Sequence, residues 1–465
     1  MALESSSNEL QILNDDVLLK IFSFCDIATV VAISETTRHF HTLASSRQVW
    51  LSLIRELHQR NFLHLEREKG LEDLTKPELV ALAKRVVFGP RSFSSESGKD
   101  GLKVTRQIIL KPTIPLGPGI LDWENETLLL PNSDFVLFRH LHFECIDVAS
   151  DKVIWRHTGH WSGYKVQVFT AELVDEGTAA IIVAGIRTYE RDRQNFVEVL
   201  RLDFETGTST SLLLRNAPNT DFDNPFRRLR MSGDFVVATI GSRQSATIFV
   251  LQLSTGLCCT VDVPAQPVDI DLVPGHLIML WDSDEFGELH LGVWGLHNLI
   301  QSATSTGAIR TPISTFPPIH SETMDVSNFP GLSFRMSCHP SPLHTDSSRL
   351  WVLISTTSVP SNGSPRTLLR KYHVTHPRSR AISIRSVAQW EHADSFPIPT
   401  ESSEISYGGW VETYYGGQHF YSLASDEPCI KNLDLPNRGD FTHLSPYSLA
   451  LTYSTYDSVV INYYE

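Results

Sequence analysis

Nineteen histidines and 53 carboxylates give this 465-residue chain ample material for acid–base or metal chemistry. His140 and His142 form a His-x-His pair. On a strand such a pair puts both rings on one face, the start of a metal edge. His157 and His160 are a second dense pair, yet no neighbouring cysteine pair or carboxylate spacing completes a ligand set around either. Both pairs therefore read as surface or inter-strand histidines, and no metal and no cofactor is expected. Cys25, Cys145, Cys258, Cys259, Cys338 and Cys429 are scattered without a CxxC spacing and read as reduced thiols. The chain has no GxxxxGK[ST], GxSxG or HExxH, and no GxGxxG after a strand. Gly117-Pro118-Gly119 reads as a turn, because Pro lacks the amide that a phosphate cradle uses. No catalytic residue is expected.

Recognition is better represented than catalysis. Trp410, Tyr414, Tyr415, His419, Phe420 and Tyr421 crowd a Gly-rich stretch. Aromatics among glycines suit a binding surface, and they equally suit the core of an all-β domain. On the first reading, Trp410, Tyr414 and Tyr415 are candidate anchors for a protein target. Arg227-Arg228-Leu229-Arg230 either faces an acidic partner or lies in a solvated loop. The net charge of −14 opposes non-specific binding to nucleic acid or to an anionic membrane. The first ten residues show neither a basic nor an apolar leader segment, and no apolar run approaches membrane-spanning length. The expectation is a cytosolic or nuclear protein with no nucleic-acid or membrane partner.

Two kinds of element must position these residues. Residues 9–55 contain no Gly or Pro and read as four short helices. Asn14 is a good N-cap, and Asp15 and Asp16 place negative charge in the first turn. Val17, Leu18, Ile21, Phe22 and Cys25 follow at helical period. Asp26 and Ser46 can cap later helices, which carry Val30, Val31, Ile33 and then Val49, Trp50, Leu53. Such a head is near the lower size limit for a self-sufficient core. Its first helix has apolar groups on more than one face, so part of it is expected to cover itself with another protein.

Leu13-Asn14-Asp15-Asp16-Val17-Leu18-Leu19-Lys20-Ile21-Phe22-Ser23-Phe24 resembles the opening of an F-box, whose usual form is LPxDVLxxIFSxL. Arg38, Phe40, Leu43 and Val49-Trp50 resemble its close. Asn14 stands where the family usually has Pro, and Glu35-Thr36-Thr37 where it often has Val-Cys-Arg. The resemblance implies that residues 9–55 bind a Skp-type adaptor and, through it, a cullin–RING ubiquitin ligase. Carried over by position, the adaptor-binding residues would be Leu13, Val17, Leu18, Ile21 and Phe22, with Trp50 as core support. Residues 56–101 read as a helical linker, with a helix starting at Thr75-Lys76-Pro77-Glu78 and a polar boundary loop at 91–101. The layout resembles F-box proteins of mushroom-forming fungi.

From residue 102 to 465 short apolar runs alternate with turns. The runs begin at Phe135, Ala179, Phe235, Leu277, Leu350 and Leu449, spaced 44, 56, 42, 73 and 99 residues apart. A period of about 40–50 residues is that of propeller blades. The wide intervals accommodate an inserted loop at 302–348 and a weak unit near Gly408–Gly416, which leads to six to eight blades. The fold class is thus a small all-α head plus an all-β domain, a degenerate WD-like β-propeller. Paired β-sandwiches are the alternative. The function implied is a non-catalytic substrate receptor of a ubiquitin ligase; a propeller enzyme and a non-ligase F-box scaffold are the alternatives.

Overall fold

The computed structural model describes residues 13–63, 70–93, 102–112, 126–131, 134–140, 142–159, 163–189, 193–220, 224–241, 245–263, 268–282, 287–306, 310–329, 331–356, 366–377, 381–393, 404–413, 419–424, 429–432, 438–455 and 458–464. The head consists of α1 (Asp15–Phe22), α2 (Ile27–Ser34), α3 (Arg38–Ala44) and α4 (Arg47–Gln59). Every one begins on a capping side chain. Asn14 accepts from the Asp16 N–H, Asp26 from Thr29 at 2.8 Å, Thr37 from Phe40, and Ser46 from Val49. Each cap satisfies an amide that the helix itself leaves unpaired. Leu18, Phe22, Val30, Val49, Leu53 and Ile54 close the core of the head. α4 runs past residue 55 to Gln59, and α5 (Lys76–Phe88) packs against it. At the start of α5 the Thr75 amide and hydroxyl both donate to Glu78, each at 2.7 Å.

Seven sheets follow, antiparallel except for one short parallel pair at the edge of the third. Blade 1 spans 126–156, blade 2 spans 164–217, blade 3 spans 226–263, blade 4 spans 268–325 and blade 5 spans 332–393. Blade 6 has three strands within 410–432, plus a bridge from Ile405 to Val411. Blade 7 joins the last three strands, within 438–464, to the first strand of the domain, Val104–Leu110. Val104–Leu110 pairs with Val459–Tyr464, Leu110 opposite Val459 and Ile108 opposite Ile461, so the two ends of the β domain close one sheet. Closure leaves no open end to the ring.

A separate buried cluster fills each gap between neighbouring blades, seven gaps and seven clusters. This explains why strands such as Phe135–Arg139 are buried at every position: both faces of the sheet meet another blade. Polar links near the axis repeat the same circuit. Arg139 donates to the Val166 carbonyl, Gln167 to Asn224, and Arg228 to Asp269 at 3.0 Å. Asp269 also accepts the Met336 amide at 2.7 Å, tying three successive blades through one carboxylate. Ile405 donates to Ser337, Tyr407 to the Pro446 carbonyl, and Thr127 to the Thr452 carbonyl. Every blade therefore touches two neighbours around a ring, which overturns the alternative of paired sandwiches.

Two turns show how the sequence shapes the blades. Gly207 and Gly256 adopt φ of 64° and 65°. A Cβ on Gly207 would lie 2.3 Å from the Ile154 carbonyl oxygen, so this turn requires glycine twice over. The Thr206 amide donates to Asp203 and the Ser254 amide to Asp234, which fixes both loops. The expected loop at 302–348 is corrected. It contains the end of α6 (Leu296–Thr306), the strand His320–Asp325 that completes blade 4, and Leu332–Pro340, the inner strand of blade 5. Leu296, Leu299, Ile300, Ile313 and Phe316 pack into the cluster between blades 3 and 4, and Thr311–Pro312 pairs with the outer strand of blade 3. The excursion straps two blades together.

Candidate interaction surfaces

Burial divides α1 into an inner and an outer side. Leu18 and Phe22 are each 2% exposed, and Phe22 meets the Phe40 ring edge-on at 6.2 Å. Leu13, Val17 and Ile21, four residues apart, lie on the opposite side at 38%, 46% and 41% exposure. Phe24, at 79%, and Val31 extend the apolar stripe, and Lys20 sits over the Phe24 ring at 4.9 Å. Of the five residues expected to bind an adaptor, three thus share an open surface. The placement corrects the reading of Leu18 and Phe22: they are core of the head, because the helix needs an inner face as well as an outer one. Phe24 and Val31 are exposed as well, and Phe24 follows Ile21 at helical spacing. Trp50 is partly buried against the head core, as core support requires.

The head sits on one rim of the ring, on loops 341–346 of blade 5 and 445–450 of blade 7. Arg60 donates to the Ser341 carbonyl at 2.7 Å, and the Ala28 amide to the Leu343 carbonyl. The His344 ring lies 3.2 Å from Asp26, the same carboxylate that caps α2. Partial burial works against ionisation of Asp26, but the bonds from Thr29 and His344 outweigh it and hold the carboxyl below its ordinary range. Phe62 meets Tyr447 edge-on at 4.6 Å, and the Tyr447 hydroxyl donates to the Pro340 carbonyl. Beyond α5, Phe93 is inserted between blades 6 and 7, with its ring 5.0 Å from Trp410, 5.1 Å from Phe420 and 5.5 Å from Tyr464.

That insertion corrects the reading of Trp410 as a surface anchor. Trp410 is 5% exposed and packs on Phe93, so its ring is committed to the core. Tyr414 and Tyr415 lie outside the described residues. Thr413 and His419, which flank them, end strands at the rim opposite the head. His140 and His142 are joined through their backbones, with His160 outside the described residues, and no group of three His, Cys, Asp or Glu suited to a metal occurs among the described residues. All six cysteines are free thiols. Among the described residues no helix is long and apolar enough to cross a membrane.

Arg228 and Arg230, read from sequence as facing an acidic partner or lying in a solvated loop, are in the inner strand of blade 3 and lie against Asp269 and Asp271 near the axis. Desolvation raises the pKa of Asp271 despite Arg230, and it depresses His339 to about 4.

Residues 10–52 match the F-box domain family. No curated protein matches the sequence. Among solved structures, Kuenenia stuttgartiensis hydrazine synthase aligns at 9% identity with a TM-score of 0.41, over 76% of this chain and 97% of that one. A structure titled Dos1 propeller aligns at 12% identity with a TM-score of 0.42, over 79% of this chain and 97% of that one. The capped helical head with its outward stripe is an F-box domain, and it is joined to a seven-bladed β-propeller.

Proposed function

We propose that this chain is the target-holding subunit of an SCF-type cullin–RING ubiquitin ligase. The observation that carries the reading is the stripe of Leu13, Val17, Ile21 and Phe24 left exposed on a head whose core is already closed by Leu18 and Phe22. An apolar stripe of this kind on a small domain is what a partner covers. The F-box match supports a Skp-type adaptor as that partner. The head then docks the ligase, and the rim of the ring opposite the head receives a protein target, with Tyr414 and Tyr415 as anchors. The receptor breaks no bond itself. It raises the effective concentration of target lysines near the loaded ubiquitin carrier. Such a subunit works in the cytoplasm or nucleus.

The test is affinity purification of the tagged chain from cells with and without proteasome inhibition. The reading expects a Skp-type adaptor in both samples and at least one further protein enriched only under inhibition. Recovery without the adaptor in either sample contradicts it.

A further inference from the structure

The seam between head and ring encloses a cleft of about 410 Å³ that neither the adaptor stripe nor the opposite rim uses. Its size falls in the range of small-ligand sites, roughly 300–1,000 Å³. Phe62, Leu74, Leu82 and Val86 supply an apolar floor from the head side. Two guanidinium groups border it, Arg85 from α5 and Arg106 from the outermost strand of blade 7. Arg85 donates to the Tyr464 carbonyl at 3.1 Å, and Arg106 lies 5.7 Å over the Tyr463 ring. Among the described residues neither has a carboxylate partner. Glu78 also reaches the rim, but its carboxylate holds the Thr75 amide and hydroxyl at the start of α5. Both arginines are exposed at the cleft, where their guanidinium groups are available to an anion.

We propose that this cleft binds a medium-chain fatty acid, its carboxylate on Arg85 and Arg106 and its chain on the apolar floor. A guanidinium matches a carboxylate with two parallel hydrogen bonds, and the chain removes apolar wall from water. Because the floor belongs to the head and Arg106 to the ring, the bound molecule bridges the two and ties them together. The proposal stands apart from the ligase reading, since it needs no adaptor.

The test is calorimetric titration of the full chain with octanoate, decanoate and dodecanoate below their micellar concentrations, and with decanol as the uncharged control. The expected result is saturable 1:1 binding of at least one acid. Decanol should bind about tenfold or more weakly, the worth of a charge-assisted hydrogen bond. The double variant Arg85→Gln with Arg106→Gln should lose a similar factor. Because that pair also alters the seam, Ala81→Trp, at an exposed site on α5 at the cleft wall, provides a second variant that fills the space while keeping both arginines in the chain. It should abolish binding while circular dichroism stays unchanged. No saturable binding of any acid, decanol binding as tightly as decanoate, or full binding by both variants would each overturn the proposal.

Discussion

At the scale of single residues, the position of a side chain across one helix separates its roles. Val17 and Leu18 are adjacent and equally apolar, yet one faces solvent and the other is core. Phe93 illustrates the same dependence on surroundings. It sits in a polar stretch, and it fills the gap between blades 6 and 7 against Trp410, Phe420 and Tyr464. Phe93→Ala should cost about 3–5 kcal/mol, the range for deleting a buried aromatic. Denaturant unfolding of the full chain measures it, and a loss under about 1 kcal/mol would mean the ring is not load sharing with its neighbours. His339 makes a pH prediction. Burial lowers its folded pKa to about 4 from an ordinary 6.5, with its ring on the Ile405 carbonyl. With the folded value below the unfolded one, its neutral form contributes stability fully above pH 6.5, and that contribution is lost as pH falls toward 4. At about 1.4 kcal/mol per unit, the loss is on the order of 2–3 kcal/mol. The melting temperature of His339→Gln should therefore fall less between pH 6.5 and 4 than that of the wild type. Parallel curves would contradict this.

At the scale of elements, the ring depends on one strand pair. Val459–Tyr464 lies between Val104–Leu110 and Leu451–Thr455. Ending the chain at residue 455 would expose both partners as open edges. The truncated protein should elute as aggregates on size exclusion, whereas a monomer with the wild-type melting temperature would show that closure matters little. Elements also explain what was legible beforehand. The caps at Asn14, Asp26 and Ser46 act as they read, because N-capping is local chemistry. Blades 1–4 were visible as apolar runs at or near blade spacing, since a strand between two blades has no polar face. The outer strand of blade 4, His320–Asp325, was obscured because it is mostly polar and follows the excursion through α6. Blade 6 was faint because its strands are four residues long. In α1 the period identified the apolar residues but not their direction, as both faces carry them. Trp410 misled for a related reason: composition does not distinguish a binding aromatic from a packed one.

At the scale of the whole molecule, the seat of the head on blades 5 and 7 sets the geometry of the assembly. Asp26 with His344, Arg60 on the Ser341 carbonyl, and Phe62 on Tyr447 hold the head to one rim. Loosening the seat with Arg60→Ala and Tyr447→Ala should speed limited proteolysis between head and ring several-fold, because local opening precedes cleavage. Adaptor affinity should stay within about twofold, as neither residue lies on the stripe. Equal proteolysis rates would show that these contacts do not hold the seam. The claim on which the functional account turns is that the stripe on α1 is the adaptor surface, and the dissociation constant for a purified Skp-type adaptor tests it most directly. Wild type should bind 1:1 and saturably. Val17→Asp with Ile21→Asp should weaken binding about 100-fold or more, since each carboxylate would be buried without a partner, while the melting temperature, set by a core these residues do not enter, stays unchanged. Equal affinity for the double variant and the wild type, or no binding by the wild type, would contradict the account.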